Sequence, residues 1–167
     1  WHPAAQAAPL PDADALEARL GRAVHRVLEW ATGPARGAAD ADAAQRAAAE
    51  FGLAAVHAAV VARCAAAILG SAQCAPFFDA ATLLWAGNEV DLADAGGALR
   101  IDRLVARAGT AGTEWWVLDY KLAHRPEADE RLRAQLARYR AAVQALQPQD
   151  AVRAAFVSGA GELIELA

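Results

Sequence analysis

The chain is 167 residues long and 56% hydrophobic, with alanine supplying much of that share, and its 16 basic and 20 acidic side chains leave a net charge of −4. That length amounts to one domain able to bury about two-thirds of its unfolded surface, and the mild acidity argues against a free-standing, general nucleic-acid binder. No apolar run approaches the roughly 18 residues of a membrane span and no charged-then-apolar leader opens the chain, while two cysteines, Cys64 and Cys74, exclude a disulfide framework or a four-thiolate metal site and make a reducing cytoplasm the simplest compartment.

Residues 1–11, with Pro3, Pro9 and Pro11 among alanines, read as an irregular lead-in. No Met occurs, not even at the start, so the chain reads as excised from something longer, or processed. Asp12 or Asp14 suits the cap of a helix running to about Ala31, with Leu16, Leu20, Val24, Val27 and Leu28 as its apolar stripe and Gly33-Pro34 as its stop. His25 lies beside that stripe, one turn after Gly21, whose missing side chain invites close approach of another backbone. An Ala-rich helix over Asp40–Glu50 and another over Leu53–Leu69 follow, with breaks at Gly70-Ser71 and Pro76, so that 12–76 is a helical region.

From Thr82 the pattern changes. Leu83–Trp85 and Glu89–Leu92 read as strand material bent at Gly87-Asn88. The turn at Gly96-Gly97 leads into a strand over Leu99–Val105, and the turn across 109–113 into another over Trp115–Asp119; such short glycine-containing loops join antiparallel hairpins. Pro126 suits the first position of a helix reaching about Gln147, with Leu132, Gln135, Leu136, Tyr139, Val143 and Leu146 facing inward. Strands over Val152–Val157 and Glu162–Leu166 close the chain. The expected fold is an α/β sandwich, a small mixed sheet in 82–167 flanked by helices behind an N-terminal helical region.

The chemistry centres on Val117-Leu118-Asp119-Tyr120-Lys121, where Lys121 is the sole lysine in a chain that otherwise uses arginine. An ammonium is a compact point charge able to approach one oxygen, whereas guanidinium is a broad fork. The strand period of two sets Trp115, Val117, Asp119 and Lys121 on one face. Asp102 lies on the hairpin partner, and a register that sets it beside Asp119 brings two carboxylates together. At about 4 Å their repulsion is roughly 4 kcal/mol at an effective dielectric near 20, so the pair must share a proton or hold a cation. Mg²⁺ suits two carboxylates plus phosphate oxygens; His25 offers a nitrogen ligand, which makes Mn²⁺ an expected substitute. Two acids, a metal and a lysine together suit phosphodiester hydrolysis, with Lys121 positioning water or neutralising the phosphate. The simpler alternative is an Asp–Lys pair at a strand end in solvent. Residues 98–153, which hold this group, carry ten basic and seven acidic side chains, whereas the remainder is net −7.

Asp102 with Asp119-Tyr120-Lys121 resembles the D…(D/E)xK core of the PD-(D/E)XK nuclease superfamily. Gly21-Arg22-Ala23-Val24-His25 resembles the Gly-xxx-His helix of its RecB-like branch, and Gln135-Leu136-Ala137-Arg138-Tyr139 the Gln-xxx-Tyr helix. Those domains lie at the C-terminus of UvrD-type helicases such as RecB and AddA, and the four stations stand here in family order from about Leu20 to Tyr139. The resemblance implies a restriction-endonuclease-like core over 1–167, excised from a bacterial, cytoplasmic helicase chain with possible partner subunits. It further implies single-stranded DNA as substrate and exonuclease action in double-strand-break repair and recombination. It assigns His25, Asp102, Asp119 and the Tyr120 carbonyl to Mg²⁺ or Mn²⁺, Lys121 to catalysis, and Gln135 and Tyr139 to orienting the site or holding the strand. Glu89 resembles the acid that often precedes the hairpin and is carried over as a neighbour of the site.

Leu99-Arg100 stands where the family usually has glycine, which crowds or charges the DNA side. Those RecB-like nucleases that carry an iron–sulfur cluster use four cysteines and this chain has two, so no cluster is expected, and without a GxxxxGK[ST] loop any nucleotide-driven motor lies outside this chain. Other readings stay open beside these. Gln135 and Tyr139 are equally suited to structural hydrogen bonding, and Arg131, Arg133, Arg138 and Arg140 to a solvated helix face. His57, Cys64 and Cys74 lack a fourth ligand and the usual spacing for zinc, and Trp85, Trp115 and Trp116 read as core rather than base-stacking surfaces. A catalytically silent nuclease-like fold that binds DNA or docks subunits is the alternative function. A helical interaction module, in which the DYK is incidental, requires Asp102 and Asp119 to lie far apart.

Overall fold

A computed structural model describes residues 12–32, 41–110, 112–122 and 125–166; the lead-in over 1–11, the Gly33-Pro34 stop, His2 and His124 lie outside them. Among these residues are four α-helices, α1 (Asp12–Thr32), α2 (Ala41–Glu50), α3 (Ala58–Gly70) and α4 (Glu130–Leu146). Five strands, β1 (Leu83–Asp94), β2 (Gly97–Gly109), β3 (Gly112–Lys121), β4 (Ala151–Ser158) and β5 (Leu163–Glu165), form one sheet in that spatial order. β1, β2 and β3 are an antiparallel meander, β4 runs parallel to β3 after the α4 crossover, and β5 returns antiparallel. The result is the expected mixed sheet flanked by helices.

Strand alternation divides the interior into two layers. Trp116, Leu118 and Tyr120 of β3 join Val24, Val27 and Leu28 of α1 and Val61 and Ile68 of α3 in one cluster. Val117 meets Phe156, Leu136, Tyr139 and Val143 in the other, beneath α4. Phe156 and Leu136 are fully buried, and each such side chain contributes about 1.5–3 kcal/mol. No described helix is long and apolar enough to cross a membrane.

The differences from the expected elements have local causes. The chain leaves α2 through Gly52, at φ +63°, and an extended Ala54, so only a 3-10 turn over Ala55–His57 precedes α3. Pro126 likewise opens a 3-10 turn, and Asp129, expected inside the helix, caps α4 by accepting from the backbone N–H of Arg131 and Leu132. Gln135 and Leu146 are exposed instead of facing inward, because α4 presents only the arc through Leu136, Tyr139 and Val143 to the sheet. Trp85 is 45% exposed, not core, leaning on Trp115 with ring centroids 5.7 Å apart. Nothing lies within 4 Å of a side-chain position at Gly21, so that glycine serves no close backbone approach. β1 is continuous through Gly87-Asn88; its irregularities are a register shift between Leu83 and Trp85 and a positive φ at Glu89.

Candidate metal and nuclease site

The β1–β2–β3 meander positions the acids. In β2, Val105 enters the α1–α3 layer and Leu104 the α4 layer, yet Leu99 and Ile101 both join Leu104. The pleat therefore changes phase beside Asp102. Directly across, Glu89 falls between the pairs Asn88–Arg103 and Val90–Ile101 and holds φ at +50°. A left-handed non-glycine residue costs about 1–2 kcal/mol, and strain of this kind gathers at functional sites.

Between β2 and β3 the backbone ladder reaches Arg103–Leu118 and stops. One step on, the Tyr120 backbone N–H donates to Asp102 Oδ2 at 2.8 Å. His25 arrives from α1 on the other layer, edge-on to the Tyr120 ring with centroids 4.9 Å apart. Its Nε2 lies 3.3 Å from the Tyr120 carbonyl oxygen and 3.6 Å from Asp102 Oδ2. Its Nδ1 lies 4.0 Å from Glu89 Oε1. Burial lowers the His25 pKa against the opposing pull of the Tyr120 carbonyl and Glu89, which favours the neutral imidazole a metal needs.

Asp119 abuts Asp102 from the opposite side and is 3% exposed. Burial and then the Asp102 charge push its pKa up to about 6, against the pull of Lys121. Asp102 is raised as well, by burial, although the Tyr120 N–H and Lys121 oppose this. Lys121 Nζ is 2.7 Å from Asp119 Oδ2, but it lies off the line of a hydrogen bond, so that buried oxygen keeps no aligned donor. Burial, and then the charges of Asp119 and Asp102, raise the pKa of the Tyr139 phenol. Exposed Gln135 makes no hydrogen bond with a described residue.

These donors fit a divalent ion. Ligands about 2.1 Å from an octahedral ion stand about 3 Å apart, close to the spacings of His25 Nε2 from the Tyr120 carbonyl and from Asp102. Ligand atoms of His25, Glu89 and Asp102 all lie within 4.8 Å of one another, and among the described residues no other group of three or more His, Cys, Asp or Glu does so. His57, Cys64 and Cys74 form no such group; Cys74 instead donates to the Gly161 carbonyl at 3.3 Å. The arrangement thus draws Glu89 closer to the imidazole than the sequence implied, with Asp119 next to Asp102 and paired with Lys121.

Arg103 was missed by sequence reasoning, although an arginine inside Ile101-Asp102-Arg103-Leu104-Val105 is itself a signal that something holds it. It is 2% exposed and donates to the Phe77 carbonyl at 2.9 Å, Asn88 Oδ1 at 2.7 Å and Thr32 Oγ1 at 3.3 Å. Asn88 Nδ2 closes the loop by donating to Thr32 Oγ1 at 2.8 Å. The end of α1 is thereby tied to the residue preceding Glu89. Arg103→Ala is expected to lower stability by about 3 kcal/mol through the carbonyl and amide left unsatisfied, measured as a drop in urea midpoint at unchanged slope. Of the α4 arginines, Arg138 pairs with Asp94 at 2.5–2.6 Å, Arg133 donates to the Glu127 carbonyl at 2.6 Å and Arg140 to the Leu166 carbonyl at 3.4 Å, so these three are engaged within the chain.

A mixed sheet between helical layers, with Asp102 in the middle of β2 beside Asp119 and Lys121 at the end of β3, defines a restriction-endonuclease-like α/β core. In comparison with protein families, residues 3–163 match the PD-(D/E)XK nuclease superfamily. The chain belongs to that superfamily, whose members are typically divalent-metal-dependent nucleases acting on nucleic acid. Among curated proteins no match was found.

Proposed function

We propose that residues 1–167 form one RecB-like nuclease domain of a bacterial cytoplasmic helicase–nuclease, an Mg²⁺- or Mn²⁺-dependent exonuclease that degrades single-stranded DNA during double-strand-break repair and recombination. The observation that carries this reading is the meeting of His25, Asp102 and the Tyr120 carbonyl, with Asp119 and Lys121 alongside. His25, Asp102, Asp119 and the Tyr120 carbonyl would hold the ion, and Glu89 stands close enough to share it. A divalent ion supplies Lewis acidity and lowers the pKa of water. Asp119 keeps Lys121 at the mouth of the site, where its ammonium orients the attacking water and offsets charge growing on the phosphate. Tyr139, buried against the acids, orients the site from α4; exposed Gln135, one turn before it, is placed to contact the strand. A strand delivered by a tethered helicase needs little intrinsic affinity, because tethering supplies the effective concentration; that agrees with the net charge of −4.

The test is cleavage of end-labelled single-stranded and duplex DNA with Mg²⁺, with Mn²⁺ and with EDTA, comparing wild type with Asp119→Ala. Ion-dependent loss of the single strand that the substitution abolishes is expected. Equal cutting by both proteins would expose a contaminant and remove the reading.

A further inference from the structure

The departure at Arg100 bears on how a strand is held. A groove of about 320 Å³ opens beside the metal-site donors, lined by Arg22, Phe51, Glu89 and Arg100 together with His25 and Asp102. Its arginines are not equivalent. Arg26, also on its wall, is held by Glu29 at 2.5 Å and Glu50 at 2.9 Å, and Arg22 lies over the Phe51 ring at 5.5 Å. Arg100 is paired instead with a member of the metal-site group itself: its Nε stands 2.5 Å from Glu89 Oε2, with Asp91 a distant 4.0 Å. Glu89 turns its other oxygen toward His25. One carboxylate thus stands between an arginine and the place of an ion.

We propose that Arg100 is a phosphate-binding residue for the nucleic-acid strand, paired with Glu89 and released to the strand when Glu89 turns to a metal ion. This rests on the nuclease reading above and adds to it a residue and an order of events. A divalent cation, which His25 and Asp102 would also help to coordinate, would compete with the guanidinium for the Glu89 carboxylate. A guanidinium that has lost its carboxylate keeps a planar fork of donors, the shape that matches a phosphate's oxygens. The ion and the strand then bind in a coupled way, each favouring the other.

The proposal is tested by binding, not turnover. Ion affinity is measured by calorimetry with Ca²⁺ alone, and strand affinity by anisotropy of a labelled oligothymidylate in Ca²⁺ over a salt series, with the strand checked for intactness. Arg100 is 62% exposed, so Arg100→Ala leaves the core undisturbed. The variant is expected to bind Ca²⁺ severalfold more tightly, having lost the competitor for Glu89. It is also expected to bind the oligonucleotide in Ca²⁺ about tenfold more weakly, with a log–log salt slope flatter by roughly 0.7, the share of one phosphate on a single strand. Arg100→Lys should recover part of the strand affinity. Unchanged Ca²⁺ affinity, or an unchanged salt slope, overturns the exchange. A wild-type chain that binds Ca²⁺ but no oligonucleotide overturns it too and leaves the metal site standing, whereas the nuclease reading fails separately, in the cleavage assay.

Discussion

Lys121→Ala is expected to slow ion-dependent cleavage by a factor of about 10² to 10³, the usual loss when one preorganised electrostatic donor is removed, while ion binding stays within a few-fold of wild type. The two effects separate because an ammonium is no metal ligand: Lys121 acts through Asp119, whose Oδ2 lies 2.7 Å from its Nζ. Removing its positive charge takes away both a repulsion toward the ion and a support for the Asp119 carboxylate, and these oppose each other. Lys121→Arg should recover little, because the guanidinium fork is wider than the ammonium it replaces. Asp119→Ala differs in kind, losing the ion as well as the rate. The measurements are single-turnover cleavage at saturating Mn²⁺ and Mn²⁺ titration by calorimetry. A Lys121→Ala protein that cleaves at the wild-type rate would reduce the ammonium to a structural counter-ion and return the site to the simpler Asp–Lys pair.

Much of this arrangement was legible because period-two alternation and glycine turns fix which residues share a strand face. Trp115, Val117 and Asp119 could be set together from spacing alone, and the short turn across Gly109–Gly112 fixes the register that brings Asp102 to Asp119. The separation of His25 from that pair by more than seventy residues of sequence was bridged only by resemblance; nothing in the helix itself says that it packs across the Tyr120 side of the sheet. Glu89 was underplaced for a physical reason. A strand period sends it to one face or the other, whereas the positive φ at this residue takes it out of both, and no side-chain pattern encodes a left-handed kink at a glutamate.

The α4 arc shows the opposite limit. Helical periodicity admitted six inward residues, but a helix lying on a twisted sheet offers a narrower stripe. Gln135 and Leu146 at its margins face solvent, while Tyr139 at its centre is buried against the acids. Arg103 and Arg100 illustrate why charge is hard to read from sequence. They are three residues apart on one strand, yet one is buried as a brace between three elements and the other rides exposed over a carboxylate.

Removing the ion should make stability fall as pH rises, the reverse of the usual carboxylate behaviour. Asp119 loses its proton at about 6 in the folded chain against 3.8 as the ordinary value. Between those values the folded state holds more protons than the unfolded one, so the contribution of Asp119 is full below the lower value and lost as pH rises through the higher. Two pKa units correspond to about 3 kcal/mol. Asp102, raised by burial, acts in the same direction; His25, lowered by burial, opposes it as its own proton leaves. Glu89 and Lys121 are the other charges facing the pair.

A divalent ion takes the place of those protons, so its stabilising effect should grow over the range in which protons leave. In EDTA the melting temperature is expected to fall between about pH 4 and about pH 7, and the rise produced by saturating Mn²⁺ to be small at the lower value and large at the higher. Asp119→Asn should flatten the EDTA profile and melt above wild type at the alkaline end, since Lys121 has water enough at the mouth of the site to stand unpaired. The same substitution should remove most of the Mn²⁺ increment. An increment equal at both ends of the range, or an Asp119→Asn chain less stable than wild type in alkaline EDTA, would mean that the two acids are held apart by other partners and that the ion binds elsewhere.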